Sequence, residues 1–156
     1  MKETPVAKHA LPRLEATLEI EAPPERLWPL VSDCNRFKEY MDLETARVIA
    51  RRGNWSRCEL VVDVPFPFGK LESVSDNFVE RRSGVYRATW KLVSGDYLYD
   101  EGSWELRATG SGRTLARVSM LTEPKLPVPN GMLLSGQRDY VKDMLVRLRQ
   151  RALASR

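Results

Sequence analysis

The sequence predicts an α+β domain in which one curved antiparallel sheet of about seven strands is crossed by a long C-terminal helix. Three observations carry that class. Apolar and polar residues alternate with period two through four segments in the middle of the chain. Turn residues separate consecutive segments at hairpin length, which antiparallel neighbours use and parallel ones cannot. After Pro129 there is no further proline, and Leu134, Val141, Met144, Leu145, Leu148 and Ala152 recur at the spacing of one helical stripe.

Residues 1–13 hold Pro5 and Pro12 among small and charged residues and read as a loose N-terminal tail; the domain then runs over 14–156. Leu14, Ala16, Leu18 and Ile20 alternate with Glu15, Thr17, Glu19 and Glu21, a half-buried strand. Ala22-Pro23-Pro24-Glu25 opens a helix, with proline tolerated in its first turn and Pro29 keeping it short or kinked. A second short helix is expected over 35–41, turning Phe37, Tyr40 and Met41 inward. Strands are expected at 44–52, 56–64, 70–81, 84–94, 97–109 and 113–122, punctuated by Gly53-Asn54, Ser83-Gly84, Gly95-Asp96 and Gly110-Ser111-Gly112. Asn130 caps the final helix, which reaches about Ala154 and spans roughly 35 Å at 1.5 Å per residue. A helix that long must lie across the whole sheet.

The alternation also says what faces that helix. Tyr86, Ala88, Trp90 and Leu92 share one face, as do Trp104, Leu106 and Ala108, then Ala116, Val118 and Met120, then Cys58, Leu60, Val62 and Val64. In 70–81 the period is poor, and the Val74/Phe78 face and the Ser73/Ser75 face compete for the inside. Large aromatics mixed with alanines either fill the space beneath the helix or leave a cavity. An empty apolar cavity costs of order 24 cal/mol per Å3, so a persistent one implies an apolar guest. Met120, Met132 and Met144 suit a wall that repacks around different guests.

Composition narrows the function. The chain has 156 residues, 42% hydrophobic and 29% charged, with net charge +4, an ordinary globular balance that excludes a disordered chain. Cys34 and Cys58 give neither a metal-ligand spacing nor a disulfide framework and read as packing residues in a reducing cytoplasm. No cofactor or metal is expected. The single histidine, His9, falls in the tail, so the usual proton-transfer group is missing from the domain. The catalytic candidates left are Tyr86 and Asp100, and Asp100, near a strand end beside Glu101-Gly102, reads as a solvated rim carboxylate. Gln137 lies on the helical stripe, where an unpaired amide would be costly; it must bond a neighbour or a ligand's polar head.

Two further features remain. The turn Pro65-Phe66-Pro67-Phe68-Gly69 puts two phenylalanines where turns are normally polar, a stiff apolar lip or a plug folded onto the core edge. The basic helix end, with arginines at 147, 149, 151 and 156, suits the helix dipole and can dock transiently on anionic lipid. Nucleic acid is not expected, because the aromatics alternate inward instead of forming an exposed stacking platform.

The stretches LEATLEIEAPPERLWPLVSD, GDYLYDEGSWELRATGSGRTLARVSM and LPVPNGML resemble the START-like helix-grip superfamily, also written SRPBCC, over nearly all of residues 14–154. That group includes polyketide cyclases and dehydrases, coenzyme Q-binding proteins and lipid-transfer domains. The resemblance implies a helix-grip fold over a central cavity and non-covalent binding or transport of a hydrophobic small molecule or lipid. The residues expected to line it are Leu60, Val62, Tyr86, Trp90, Trp104, Met120, Val141 and Met144, with Gln137 as polar anchor and Phe66 and Phe68 at the rim. The alternatives are a polyketide cyclase/dehydratase-like enzyme and a non-catalytic accessory domain acting on a protein partner.

Overall fold

The computed structural model describes residues 1–65 and 67–154. Eight strands form one antiparallel sheet: β1 (Lys2–Thr4), β2 (Arg13–Ile20), β3 (Thr45–Arg52), β4 (Trp55–Val64), β5 (Gly69–Arg82), β6 (Val85–Gly95), β7 (Tyr97–Gly110) and β8 (Arg113–Pro124). Their order in space is β1-β2-β8-β7-β6-β5-β4-β3, so the chain's first long strand closes beside its last. Between β2 and β3 come helix α1 (Pro24–Ser32) and a 3-10 turn (Cys34–Glu39); helix α2 (Asn130–Ala154) ends the fold. This is a helix-grip fold, with eight strands instead of seven.

The extra strand comes from the segment expected to be a loose tail. Lys2–Thr4 pairs with Arg13–Glu15, Arg138 of α2 grips Glu3 at 2.6 Å, and Leu11 is 2% exposed. His9 is not solvated either; its ring meets Tyr99 edge-on at 4.2 Å. Three polar residues carry no alternation, so the tripeptide is ordered by its partners. The second short helix is a 3-10 turn stopped at Tyr40, whose amide bonds the Phe37 carbonyl and whose hydroxyl donates to the Leu30 carbonyl.

Register decides the ambiguous strand. Leu60 pairs with Ser73 and Cys58 with Ser75, so both serines, each 4% exposed, share the inner face, while Phe78 points outward, 54% exposed. The core unites Leu14, Ile20, Leu27, Val31, Tyr40, Trp104, Leu106 and Val118 with Val141, Met144, Leu145, Leu148 and Ala152 of α2. All five buried residues of α2 lie from Val141 onward, the first near the middle and four in the C-terminal half. That half is fixed at the rim as well. Arg149 forks onto Glu21 at 2.8 and 2.9 Å, and Arg151 bonds Glu39 at 2.7 Å. The N-terminal half is lightly packed, with only Leu133, Leu134 and Gln137 half-buried before Arg138.

Candidate functional site

Two cysteines tie the roof to the floor. Cys34, opening the 3-10 turn, and Cys58, on the inner face of β4, form a disulfide. This corrects the reading of both as free packing thiols, and with it the cytoplasmic expectation loses its cysteine argument. Nothing in a 24-residue separation signals pairing; the fold brings the two together. Asn77 of β5 donates its amide to Cys58 Sγ at 2.7 Å.

Farther along the same inner face lies a polar constellation inside apolar surroundings. Trp90 Nε1 donates to Asp100 Oδ1 at 3.1 Å and Thr122 Oγ1 to the same oxygen at 2.8 Å. Gln137 Nε2 reaches down from α2 to the Thr122 carbonyl at 2.8 Å. Asp100 is therefore half-buried and hydrogen-bonded on the inner face, not a solvated rim carboxylate. Burial holds its carboxyl above the ordinary range, the two donors oppose that, and the charge of Glu101 adds to it. Tyr97 and Tyr140 stand close enough to feel Asp100, and burial raises both phenols. A carboxyl with a raised pKa, two phenols, an indole N–H and an amide can hydrogen-bond a guest's hydroxyl or carbonyl, or exchange a proton with it.

The expected lining residues divide. Trp104, Val141 and Met144 are buried in the core; Leu60, Val62, Tyr86, Trp90 and Met120 are half-buried. Tyr86 is not beside Asp100. Its hydroxyl donates to Glu25 Oε1 at 2.9 Å, and four strand residues, about 13 Å, separate it from Trp90. Phe68 is 38% exposed, and Phe66 lies outside the described residues. Sequence reasoning missed Tyr97 because a bulge between Tyr97 and Tyr99 breaks the period that would have shown it facing inward. Tyr140, by contrast, sits three residues after Gln137 and four before Met144, a spacing that was readable.

Trp90 lies over Gly102, and Phe37, Trp104, Val79 and Ala88 close in until the void they share with Val31, Ser32 and Asn77 is about 10 Å3, room for no more than one water. A larger trough of about 410 Å3 opens on the opposite, helix-free face between Arg13, Phe78, Arg87 and Lys91. It is wide open to solvent and includes Asp76 and Glu101, paired with Arg57 at 2.9 Å and Arg13 at 3.7 Å, so it cannot desolvate an apolar guest.

One end of the sheet gathers the β4–β5 turn, the β6–β7 turn and the connection into α2, since Val64 pairs with Gly69 and Tyr97 with Pro124. Phe68, Leu98 and Met132 are exposed there, at 38%, 63% and 65%. The basic end of α2 is less available than its sequence suggests, because Arg147, Arg149 and Arg151 pair with Asp143, Glu21 and Glu39. Among the described residues no group of three or more His, Cys, Asp or Glu could hold a metal, and no helix is long and apolar enough to cross a membrane.

Residues 20–149 match the family model described as polyketide cyclase / dehydrase and lipid transport. The chain belongs to that family. Its fold is similar to that of TTHA0849 from Thermus thermophilus, 26% identical with a TM-score of 0.77 over 92% of this chain and 99% of that one. The STAR-related lipid transfer protein of Xanthomonas axonopodis is 16% identical, TM-score 0.82, over 96% and 90% of the two chains. The Zhui aromatase/cyclase of Streptomyces sp. R1128 is 14% identical, TM-score 0.69, over 91% of each. No curated protein matches the sequence. Family members of both kinds, lipid-transfer and cyclase, thus share this START-like architecture.

Proposed function

We propose that the domain binds a hydrophobic small molecule or lipid between the inner face of β4–β8 and the N-terminal half of α2, with the guest's polar group at Asp100, Thr122 and Gln137. The observation that carries this reading is the asymmetry of α2: five buried anchors from Val141 onward, and over the polar constellation a lightly packed stretch before it. Lipid-type pockets need a few hundred Å3, so a guest of that kind needs the space around the void of about 10 Å3 to widen. The helix's first turns and the Trp90 indole are the parts that move to admit a guest. Leu60, Val62, Met120, Val141 and Met144 supply the apolar wall, and Phe68 belongs to the lip with Leu98 and Met132.

Native mass spectrometry of gently extracted protein tests this directly. A bound lipid or isoprenoid is expected, and a fluorescent C18 fatty acid should bind wild type but bind Asp100→Asn and Gln137→Leu more weakly. Consistently empty protein that also ignores the probe would end the reading.

A second reading, a polyketide cyclase or dehydratase, is favoured by one feature: a carboxyl with a raised pKa beside two phenols. It requires turnover of a poly-β-keto thioester that Asp100→Asn abolishes. Tyr86→Phe should leave that turnover untouched, given where Tyr86 sits.

A further inference from the structure

We propose that the Cys34–Cys58 disulfide is a redox lock on the pocket: oxidised, it clamps the 3-10 turn onto β4; reduced, it lets that turn lift and widens the space beneath it. The inference rests on the ligand-binding reading for its purpose but on separate residues for its mechanism. Cys34 and Cys58 are each 1% exposed and join the roof segment to the sheet's inner face. Asn77 connects the bond to the void, since its amide donates to Cys58 Sγ at 2.7 Å and its side chain lines the void with Phe37 of the same 3-10 turn. Bonded sulfurs sit about 2.05 Å apart and non-bonded heavy atoms about 3.5–4.0 Å, so opening the bond requires the two sulfurs to separate by roughly 1.5–2 Å, by side-chain rotation or by the turn easing away from the strand. Against a void of about 10 Å3, that displacement is large.

The turn does not depend on the disulfide alone for its fold, which separates a lock from a staple. Asn35 Oδ1 accepts the Val48 amide at 2.8 Å, Asp33 pairs with Arg51 at 3.5 Å and Tyr40 holds the Leu30 carbonyl at 3.0 Å. These contacts keep the segment shaped while the bond sets how closely it is seated. The chemistry balances with a dithiol as reductant. One thiolate attacks a cystine sulfur, the S–S bond breaks, and the dithiol's second sulfur resolves the mixed disulfide. Two electrons pass to the cystine, two protons end on Cys34 and Cys58, and the reductant leaves as its own disulfide. By linkage, a state that binds the guest better when reduced is also a state that the guest makes easier to reduce.

The test uses the whole protein before and after dithiothreitol, with alkylation and intact mass confirming the thiol count. Two quantities are read: hydrogen exchange across residues 34–40, and uptake of the fluorescent C18 fatty acid. Reduction should speed exchange there by about tenfold or more with far-UV circular dichroism preserved, and raise probe uptake by a similar factor. The Cys34→Ser/Cys58→Ser double variant should match the reduced protein and ignore dithiothreitol. Unchanged exchange with both thiols free overturns the lock, and so does global unfolding on reduction. Faster exchange with uptake unchanged between two forms that both bind overturns its role at the pocket. Faster exchange with no uptake in either form sustains the release of the turn and overturns the ligand-binding reading instead.

Discussion

Replacing Gly102 with alanine places a methyl group where the structure has no room for one. A Cβ there would overlap the Ser119 carbonyl oxygen and the Trp90 ring, whose Cη2 would lie 2.6 Å away. Neither neighbour yields easily. Ser119 is mid-strand in β8, paired with both β2 and β7, and the Trp90 indole is held by Asp100. Overpacking typically costs about 1–3 kcal/mol, and two fixed neighbours put this site at the upper end, about 3 kcal/mol. With a urea slope of about 2 kcal/mol/M, the midpoint should fall by about 1.5 M. Urea unfolding followed by circular dichroism measures it. The same substitution in a Trp90→Leu background should cost about 1 kcal/mol less, because only the carbonyl clash remains. Were Gly102→Ala to unfold within about 0.5 kcal/mol of wild type, a typical scatter for surface changes, the packing of Trp90 over β7 would be wrong.

Asp100 contributes to the pH dependence of stability with a definite sign. Its folded pKa is raised, so the native state holds the proton longer than the unfolded chain, and its contribution falls as pH rises from 3.8 through the raised folded value. Asp100→Asn keeps an oxygen for Trp90 and Thr122 without the charge, so the wild-type urea midpoint should fall relative to the variant's through that window, on top of the opposite trend that the ion-paired Glu19, Glu21, Glu39, Glu44 and Asp76, with lowered pKa values, give both proteins; parallel profiles would contradict the raised carboxyl. Trp90→Ala should cost about 3–5 kcal/mol as a cavity and recover part of it when an apolar probe fills the hole, read as a ligand-dependent rise in melting temperature. Loss of the disulfide, which closes a loop of 24 residues' separation, should lower stability by about 3.5 kcal/mol in the double serine variant, read from its urea midpoint against oxidised wild type.

What the sequence made legible was whatever period and punctuation encode. Seven strands, the proline-led helix and the terminal helix follow from alternation, glycine turns and a 3.6-residue stripe. The inward faces of β4, β6, β7 and β8 follow as well. Gln137 was legible for a different reason: an amide on an apolar stripe has to find a partner, and the Thr122 carbonyl is one. Four features escaped because they are set by partners distant in sequence. Lys2–Thr4 becomes a strand only beside β2. The face of β5 is fixed by its register with β4, which buries Ser73 and Ser75. Asp100 looks solvated by position and is half-buried between Trp90 and Thr122, which lie on neighbouring strands. The cysteines meet only once α1 and the 3-10 turn fold back over β4. Site residues suffer most from this, since a site is assembled across strands while sequence patterns report along them.

The small void around Trp90, Phe37 and Trp104 bears on how a guest could enter beneath α2. If the guest enters only an open form, its apparent affinity is reduced by the fraction of molecules that are open, and a pocket open about 1% of the time weakens binding about 100-fold. The structure says where that cost is kept small. Opening the N-terminal half of α2 gives up the contacts of Leu133 and Leu134 and the Gln137 bond, and leaves Val141, Met144, Leu145, Leu148 and Ala152 in place. Moving the whole helix would give up all five. The hinge therefore belongs near Arg138–Tyr140, and binding should be gated by it. In stopped-flow mixing with the fluorescent fatty acid, the observed rate should level off at the opening rate as probe concentration rises. Gln137→Leu, lacking the bond to β8, should level off higher. A rate that climbs linearly toward the diffusion limit would mean that no opening step precedes binding and would refute the hinge.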